Sequence, residues 1–378
     1  MSDDKGYSGN ALDCLKKNNV KVGDSIKITA DLTYSGILMP RYESGDDKHL
    51  VIKLGSGYNV GIDVDEIQKI QVVSSPEVKP EQSQERKENP TLPKILLLST
   101  GGTIASKVDY RTGAVTPALS ASDINEAVPE LGKIANIDAE VLFSEYSENL
   151  QPDHWTQIAE KLDSLANSDY KGILIAHGTD TMHYTSSFLS FALAGFPIPV
   201  ALVGSQRSSD RPSSDAAPNL IAASKFLVES NTRGIFLVMH HNDNDQTVAC
   251  HVGTRVRKNH TSKRGAFETV GGDPAFIVTP TLKIQKNIQG DFFKDAKYNP
   301  RIKIDTNVAL VKYHPGYEPK LIENLIQTGC KAIIFEGTGL GHVGRTMYDV
   351  IKNANENELF LGMTSQCIDG RVRMTVYE

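Results

Sequence analysis

Two short apolar runs constrain the fold of this chain more than any other feature. Lys94-Ile95-Leu96-Leu97-Leu98-Ser99 and Gly172-Ile173-Leu174-Ile175-Ala176 are both too short to span a bilayer, and neither alternates apolar with polar residues. A near-continuous run of this length marks a strand buried on both faces, as in a parallel sheet covered by helices. Each run breaks off into a glycine-containing polar motif, Thr100-Gly101-Gly102-Thr103-Ile104 after the first and His177-Gly178-Thr179-Asp180-Thr181-Met182 after the second. Ligands of open α/β sheets bind beyond the carboxyl ends of the strands. The hydroxyls and the carboxylate of both motifs therefore fall where chemistry is expected.

From Lys94 onward the pattern repeats. Strand candidates at Ile95 to Ser99, Gly172 to Ala176, Pro199 to Val203 and Gly234 to Met239 alternate with helices near Ser120 to Leu131, Asp153 to Asn167, Thr181 to Ala194 and Ser214 to Ser230. That order predicts right-handed βαβ crossovers and an α/β fold with helices on both faces of a parallel sheet. Around Phe292 to Ile304 the pattern changes. A smaller α/β unit follows, with strands at Val308 to Lys312, Lys331 to Glu336 and Leu359 to Thr364 and helices near Pro319 to Thr328 and Arg345 to Asn355. No internal repeat is visible.

The amino-terminal part is different. After a short amphipathic segment at Ala11 to Lys17, Val20 to Val73 alternates apolar and polar residues between turns at Gly23-Asp24, Ser35-Gly36, Gly45-Asp46 and Gly55-Ser56-Gly57. This predicts a small antiparallel β-barrel. Ser74 to Pro93 carries four prolines among Glu, Gln, Lys and Ser and reads as an exposed linker. The expected organisation is a barrel domain at 1–73, a linker at 74–93, a large α/β domain at 94–291 and a smaller α/β domain at 292–378.

Composition narrows the function classes. The chain has 378 residues, 39% hydrophobic and 23% charged, enough for a sizeable core in more than one domain. No run reaches the roughly 18 apolar residues of a membrane span, and Met1-Ser2-Asp3-Asp4-Lys5 lacks a signal-peptide character, so a cytoplasmic location without membrane contact is expected. Cys14, Cys250, Cys330 and Cys367 form no Cys-x-x-Cys pair, so neither a metal site nor a disulfide framework is signalled. A net charge of −6 argues against an extended nucleic-acid surface of the chain's own. The phosphate-binding pattern Gly-x-x-x-x-Gly-Lys-[Ser/Thr] is absent, so ATP chemistry is expected on another polypeptide.

A threonine hydroxyl attacks a carbonyl only with a nearby base and a site that stabilises the oxyanion. Gly101 and Gly102 permit the tight backbone approach such a site wants, yet the same threonines suit a helix cap or a phosphate-binding turn. Asp180 offers a carboxylate for an amine or a lysine, or an N-cap for the helix that begins near Thr181. The stretch Thr254-Arg255-Val256-Arg257-Lys258-Asn259-His260-Thr261-Ser262 contains a lysine that loses its proton more readily if desolvated near other cations, and otherwise reads as a solvated basic loop. Gly339-Leu340-Gly341-His342-Val343-Gly344 lacks the acidic residue of a dinucleotide site, and His240 to Asp245 with His251 lacks the spacing of a metal loop.

The ordered set of Thr-Gly-Gly-Thr-Ile, His-Gly-Thr-Asp-Thr-Met and a downstream lysine over Lys94 to Glu378 resembles the L-asparaginase family of threonine amidohydrolases. The resemblance implies an asparaginase-like two-domain body, Thr103 as nucleophile, and Thr179, Asp180 and Lys258 as a second catalytic cluster. Tyr110 matches a mobile-loop tyrosine that assists the nucleophile, Ser147 a substrate-holding serine, and Glu148 a polar position beside it. Free-standing members begin close to the first strand. With its added barrel and the loop Gly204-Ser205-Gln206-Arg207-Ser208-Ser209-Asp210-Arg211-Pro212-Ser213-Ser214-Asp215, the chain is more similar to the GatD branch of archaeal glutamyl-tRNA(Gln) amidotransferases. That likeness implies a glutaminase that delivers ammonia to a partner E subunit (GatE), which would bind ATP and Mg2+ and hold Glu-tRNA(Gln), within a D2E2 assembly built on a D homodimer. L-glutamine, or L-asparagine, would be the ammonia donor. Members of the branch continue beyond the point matching Glu378, so the C-terminal domain is expected to be truncated.

Overall fold

A computed structural model describes residues 6–41, 46–56, 58–75, 89–101, 106–108, 115–117, 124, 127–207, 213–244, 247–288, 297–373 and 375. The first unit begins with α1 (Gly9–Lys17), followed by β1 (Ser25–Thr29), β2 (Thr33–Leu38), β3 (His49–Leu54), β4 (Asn59–Asp63) and β5 (Lys69–Ser74). The strands pair antiparallel in the order β4-β3-β2-β1-β5. Alternation puts Ile26 and Ile28 of β1 on the inner face with Leu38, Leu50 and Ile52, and α1 covers that face with Ala11 and Leu15. The expected barrel is therefore a curled five-stranded sheet around one small core.

The central sheet takes β6 (Lys94–Ser99), β9 (Asn136–Val141), β10 (Gly172–Ala176), β11 (Val200–Val203) and β12 (Ile235–His240), with β7 (Ser106–Val108) and β8 (Val115–Pro117) forming a separate hairpin. The neighbours β12-β11-β10-β6-β9 are all parallel. Two successive side-chain sets fill two cores. Leu97, Leu174, Ala201 and Phe236 meet Leu220, Ala223 and Phe226 of one helix, Ala216–Glu229. On the other face Leu96, Leu98, Ile173, Ile175 and Leu202 meet helices Pro152–Ser164 and Met182–Ala192 through Ile158, Leu162, Met182 and Leu189. In chain order these helices are α2 (Pro152–Ser164), α3 (Met182–Ala192) and α4 (Ala216–Glu229).

Beyond β12 the sheet continues antiparallel through β13 (Val248–Val252), β16 (Phe276–Val278) and β17 (Ile284–Lys286), making eight strands in all. The sequence pattern predicts none of these three strands. Two are only three residues long, and β13 carries His251 inside it, so the apolar runs are too short to stand out. A short hairpin, β14 (Val256–Lys258) with β15 (Phe267–Thr269), stands apart from the main ladder.

The carboxyl-terminal unit is a parallel sheet of β18 (Val308–Lys312), β19 (Ala332–Gly337) and β20 (Phe360–Ser365) with α5 (Lys320–Gln327) and α6 (Tyr348–Glu356). Val311, Ile333 and Phe335 pack under Ile322, Met347 and Val350. The alternate positions Val308, Leu310 and Phe360 are exposed. Of the helix read near Ser120 to Leu131, half lies outside the described residues; Ile124 and Ala127 are helical, the Val128 N–H donates to the Ile124 carbonyl at 2.8 Å, and Pro129–Lys133 forms a 3-10 turn. Among the described residues no helix is long and apolar enough to cross a membrane.

Candidate active site

Parallel pairing of β6 with β10 in the register Ser99↔Ala176 brings the two motif-bearing strand ends side by side. The first residue past β6 locks them together. Thr100 donates both its backbone N–H (3.0 Å) and its hydroxyl (2.9 Å) to the carbonyl of Ala176 and is 2% exposed. Its hydroxyl is thus a buried tie. Gly101 follows with φ +115°, and a Cβ there would lie 2.1 Å from the carbonyl oxygen of Glu145, so only glycine fits the turn. Thr103 and Tyr110 lie outside the described residues, as do Gly102 and Ile104.

The second motif leaves β10 at His177 and meets a group from far along the chain. Lys258 Nζ donates to the Thr179 hydroxyl at 2.9 Å and to Asp180 Oδ1 at 2.6 Å. The lysine side chain is 8% exposed, whereas Asp180 is 64% exposed. Lys258 ends β14, where strand alternation turns it inward while Arg257 stays exposed. The basic stretch therefore serves both of the readings it permits, a solvated face at Arg255 and Arg257 and an inward lysine between them and the hairpin turn. Asp180 is not the N-cap: Thr181 occupies that position, and its hydroxyl donates to the Ser147 carbonyl at 2.7 Å.

Ser147 is buried in the 3-10 turn Ser147–Asn149 and lies against Gly178, where a Cβ would come within 2.7 Å of the serine Cβ. Glu148 is exposed on the same turn. Gly204, just past β11, presses on the motif from the other side; a Cβ there would stand 2.8 Å from the His177 carbonyl oxygen and 2.9 Å from Thr179 Cγ2. The loop after Gly204 is held by a buried carboxylate: Asp215 accepts from the backbone N–H groups of Gln206 and Arg207 at 3.0 and 2.8 Å and from Asn219 Nδ2 at 3.0 Å. Sequence reasoning has no signal for these supports except the position of Gly204 directly after an apolar strand.

Several histidines surround the site without carrying charge. Burial pushes His177 down to about 4. It does the same to His183, aided by the positive charges of Arg257 and Lys258. His240 and His251, whose stretch lacks the spacing of a metal loop, sit in adjacent strands of the core, where His240 Nδ1 lies 2.7 Å from Asn219 Oδ1 and His251 Nδ1 2.7 Å from Thr269 Oγ1. Among the described residues no group of three His, Cys, Asp or Glu side chains is placed to hold a metal ion. The cluster as it stands offers an amine, a hydroxyl and a half-open carboxylate, a set that can bind the ammonium of an amino acid and orient a hydroxyl or a water.

Comparison with known proteins adds to this geometry. Residues 94–289 match the asparaginase N-terminal model, 307–378 the glutaminase/asparaginase C-terminal domain, and 20–73 the GatD N-terminal domain. The chain is 43% identical to the D subunit of the glutamyl-tRNA(Gln) amidotransferase of Methanopyrus kandleri over 98% of its own length and 83% of that protein. It is 44% identical to the corresponding protein of Sulfurisphaera tokodaii, covering 99% of this chain and 84% of the relative. Among solved structures, the thermostable L-asparaginase of Thermococcus kodakarensis superposes with a TM-score of 0.66 at 31% identity, over 75% of this chain and 84% of that one.

Proposed function

The chain belongs to the GatD family, the D subunits of glutamyl-tRNA(Gln) amidotransferases, and we propose that it releases ammonia from glutamine for the amidation of Glu-tRNA(Gln). The observation that carries the reading is the contact of Lys258 with Thr179 and Asp180 at the carboxyl end of β10, beside the turn that leads to Thr103. In this reading Thr103 Oγ1 attacks the side-chain carboxamide, the C–N bond breaks, and ammonia leaves with the proton delivered to it. Water then cleaves the acyl-enzyme to glutamate. Lys258 and Thr179 handle the proton that moves in each half-reaction, Asp180 and Ser147 hold the amino acid, Tyr110 assists the nucleophile, and Glu148 supplies a polar group beside Ser147.

The remainder of the reaction falls to other molecules. A partner E subunit (GatE) would bind ATP and Mg2+, activate the carboxylate of Glu-tRNA(Gln) and receive the ammonia in a D2E2 complex. This chain's own acidic charge suits a protein that leaves most of the tRNA to its partner. The likeness to the Thermococcus kodakarensis asparaginase favours a second reading, a free-standing asparaginase or glutaminase. The match of 20–73 to the GatD N-terminal domain weighs against it, and the Lys258 cluster weighs against a non-catalytic scaffold. Ammonia release from glutamine and asparagine, alone and with the partner, ATP and Glu-tRNA(Gln), separates the readings: stimulation by the partner supports the amidotransferase, and partner-independent preference for asparagine supports the asparaginase.

A further inference from the structure

Under the loop that carries Thr179 and Asp180, three side chains form a hydrogen-bond chain whose direction is fixed. His177 is 1% exposed; its Nδ1 lies 2.6 Å from the Gly178 carbonyl oxygen and its Nε2 2.8 Å from Thr185 Oγ1. Trp155 Nε1 approaches the same hydroxyl at 2.9 Å. A carbonyl oxygen only accepts, so the imidazole proton sits on Nδ1; an indole N–H only donates, so Thr185 accepts from Trp155 and passes its own proton to the bare Nε2. The order Trp155 to Thr185 to His177 to Gly178 satisfies every member. Burial keeps the ring neutral at physiological pH, which preserves that tautomer.

The chain links two packed helices to one peptide. Trp155 sits in the first turn of α2 and stacks on Phe188 of α3 (ring centroids 5.9 Å apart), while Thr185 projects from α3 itself. Gly178 is already pinched by Ser147, and Gly204 presses on the preceding carbonyl. With the His177 donor in place, the peptide before Thr179 has little room to rotate. We propose that Trp155 and Thr185 are positioning residues that act through His177 to fix the Gly178 carbonyl, and so hold Thr179 and Asp180 within reach of Lys258. This rests on the role proposed above for that cluster. Deleting the Thr185 hydroxyl leaves the buried imidazole Nε2 and the half-buried indole N–H without this partner, so the chain fails as a unit.

The test compares the full chain with Thr185→Val, which keeps the volume, and Thr185→Ser, which restores the hydroxyl, in two readouts: 15N shifts of the His177 ring and the Lys258 amine, and kcat and KM for glutamine. The expected result is a protonated Nδ1 and a bare Nε2 in the parent. Thr185→Val is expected to lose about tenfold or more in kcat with KM changed less, and Thr185→Ser to stay within about threefold of the parent. A folded Thr185→Val with the parent's kcat, or a His177 protonated on Nε2, overturns the proposal. If the parent releases no ammonia from either amide, the proposed function fails and the shifts alone decide. A displaced Lys258 signal in Thr185→Val then supports the positioning role, and an unchanged one overturns it.

Discussion

Lys258 and Thr179 are 79 positions apart in the chain, yet the lysine amine stands 2.9 Å from the threonine hydroxyl. The contact joins the end of β10, the middle one of the five parallel strands, to the last residue of β14 in the separate β14–β15 hairpin. The amine is simultaneously 2.6 Å from Asp180, so a single cation orders both groups of the motif.

Replacing Lys258 with alanine removes the cation and breaks the ion pair with Asp180. Amide hydrolysis is expected to fall by at least about a hundredfold, the scale of an acid/base partner. Lys258→Arg keeps the charge but not the compact geometry and is expected to rescue little. Steady-state ammonia release checks both, and a loss under about fivefold in Lys258→Ala would move the activating amine elsewhere, with Lys263 the next candidate.

Thr103→Val removes the proposed nucleophilic oxygen at nearly constant volume. Hydrolysis is expected to drop by roughly a thousandfold or more while the unfolding midpoint in urea changes little. Near-normal turnover would remove Thr103 from the mechanism.

Gly101→Ala tests the turn itself. The alanine must adopt φ +115° and push its Cβ against the Glu145 carbonyl, so a loss of at least about 2 kcal/mol in unfolding free energy is expected. Equilibrium denaturation measures it, and an unchanged midpoint would contradict the described turn.

The buried imidazoles make the fold acid-labile. His177 and His183 are lowered to about 4 and His251 to about 3, chiefly by burial, so the unfolded chain binds protons that the folded chain does not as pH falls below about 6.5. Stability is therefore full above about pH 7 and declines toward about pH 4. Thermal unfolding is expected to show Tm falling across that window, less steeply in His251→Gln. An equal slope in the variant would show that His251 is not held neutral by the fold.

How much of this was legible depended on burial. The parallel strands β6, β10, β11 and β12 are apolar on both faces and appear as continuous runs, so their places are read to within about a residue. The antiparallel edge is not, because β16 and β17 are three residues long and β13 carries His251 inside its short run. Within the site, both motifs are visible as strand ends, but Thr100 and Thr103 look alike in sequence; only the tie from Thr100 to Ala176 marks the first as a structural hydroxyl. Lys258 reads as one cation in a basic stretch until strand alternation turns it inward. Trp155 and Thr185 give no signal at all, since each looks like an ordinary residue of an amphipathic helix and their meeting depends on how α2 and α3 pack.

Whether this chain generates ammonia from glutamine for a partner is decided by glutamine hydrolysis by the purified chain with and without the E subunit, ATP and Glu-tRNA(Gln), with Lys258→Ala as the control. Strong stimulation by the complete mixture, transfer of the amide nitrogen to the tRNA-bound glutamate, and loss of both in the variant are expected. Hydrolysis that ignores the partner and favours asparagine would contradict that role.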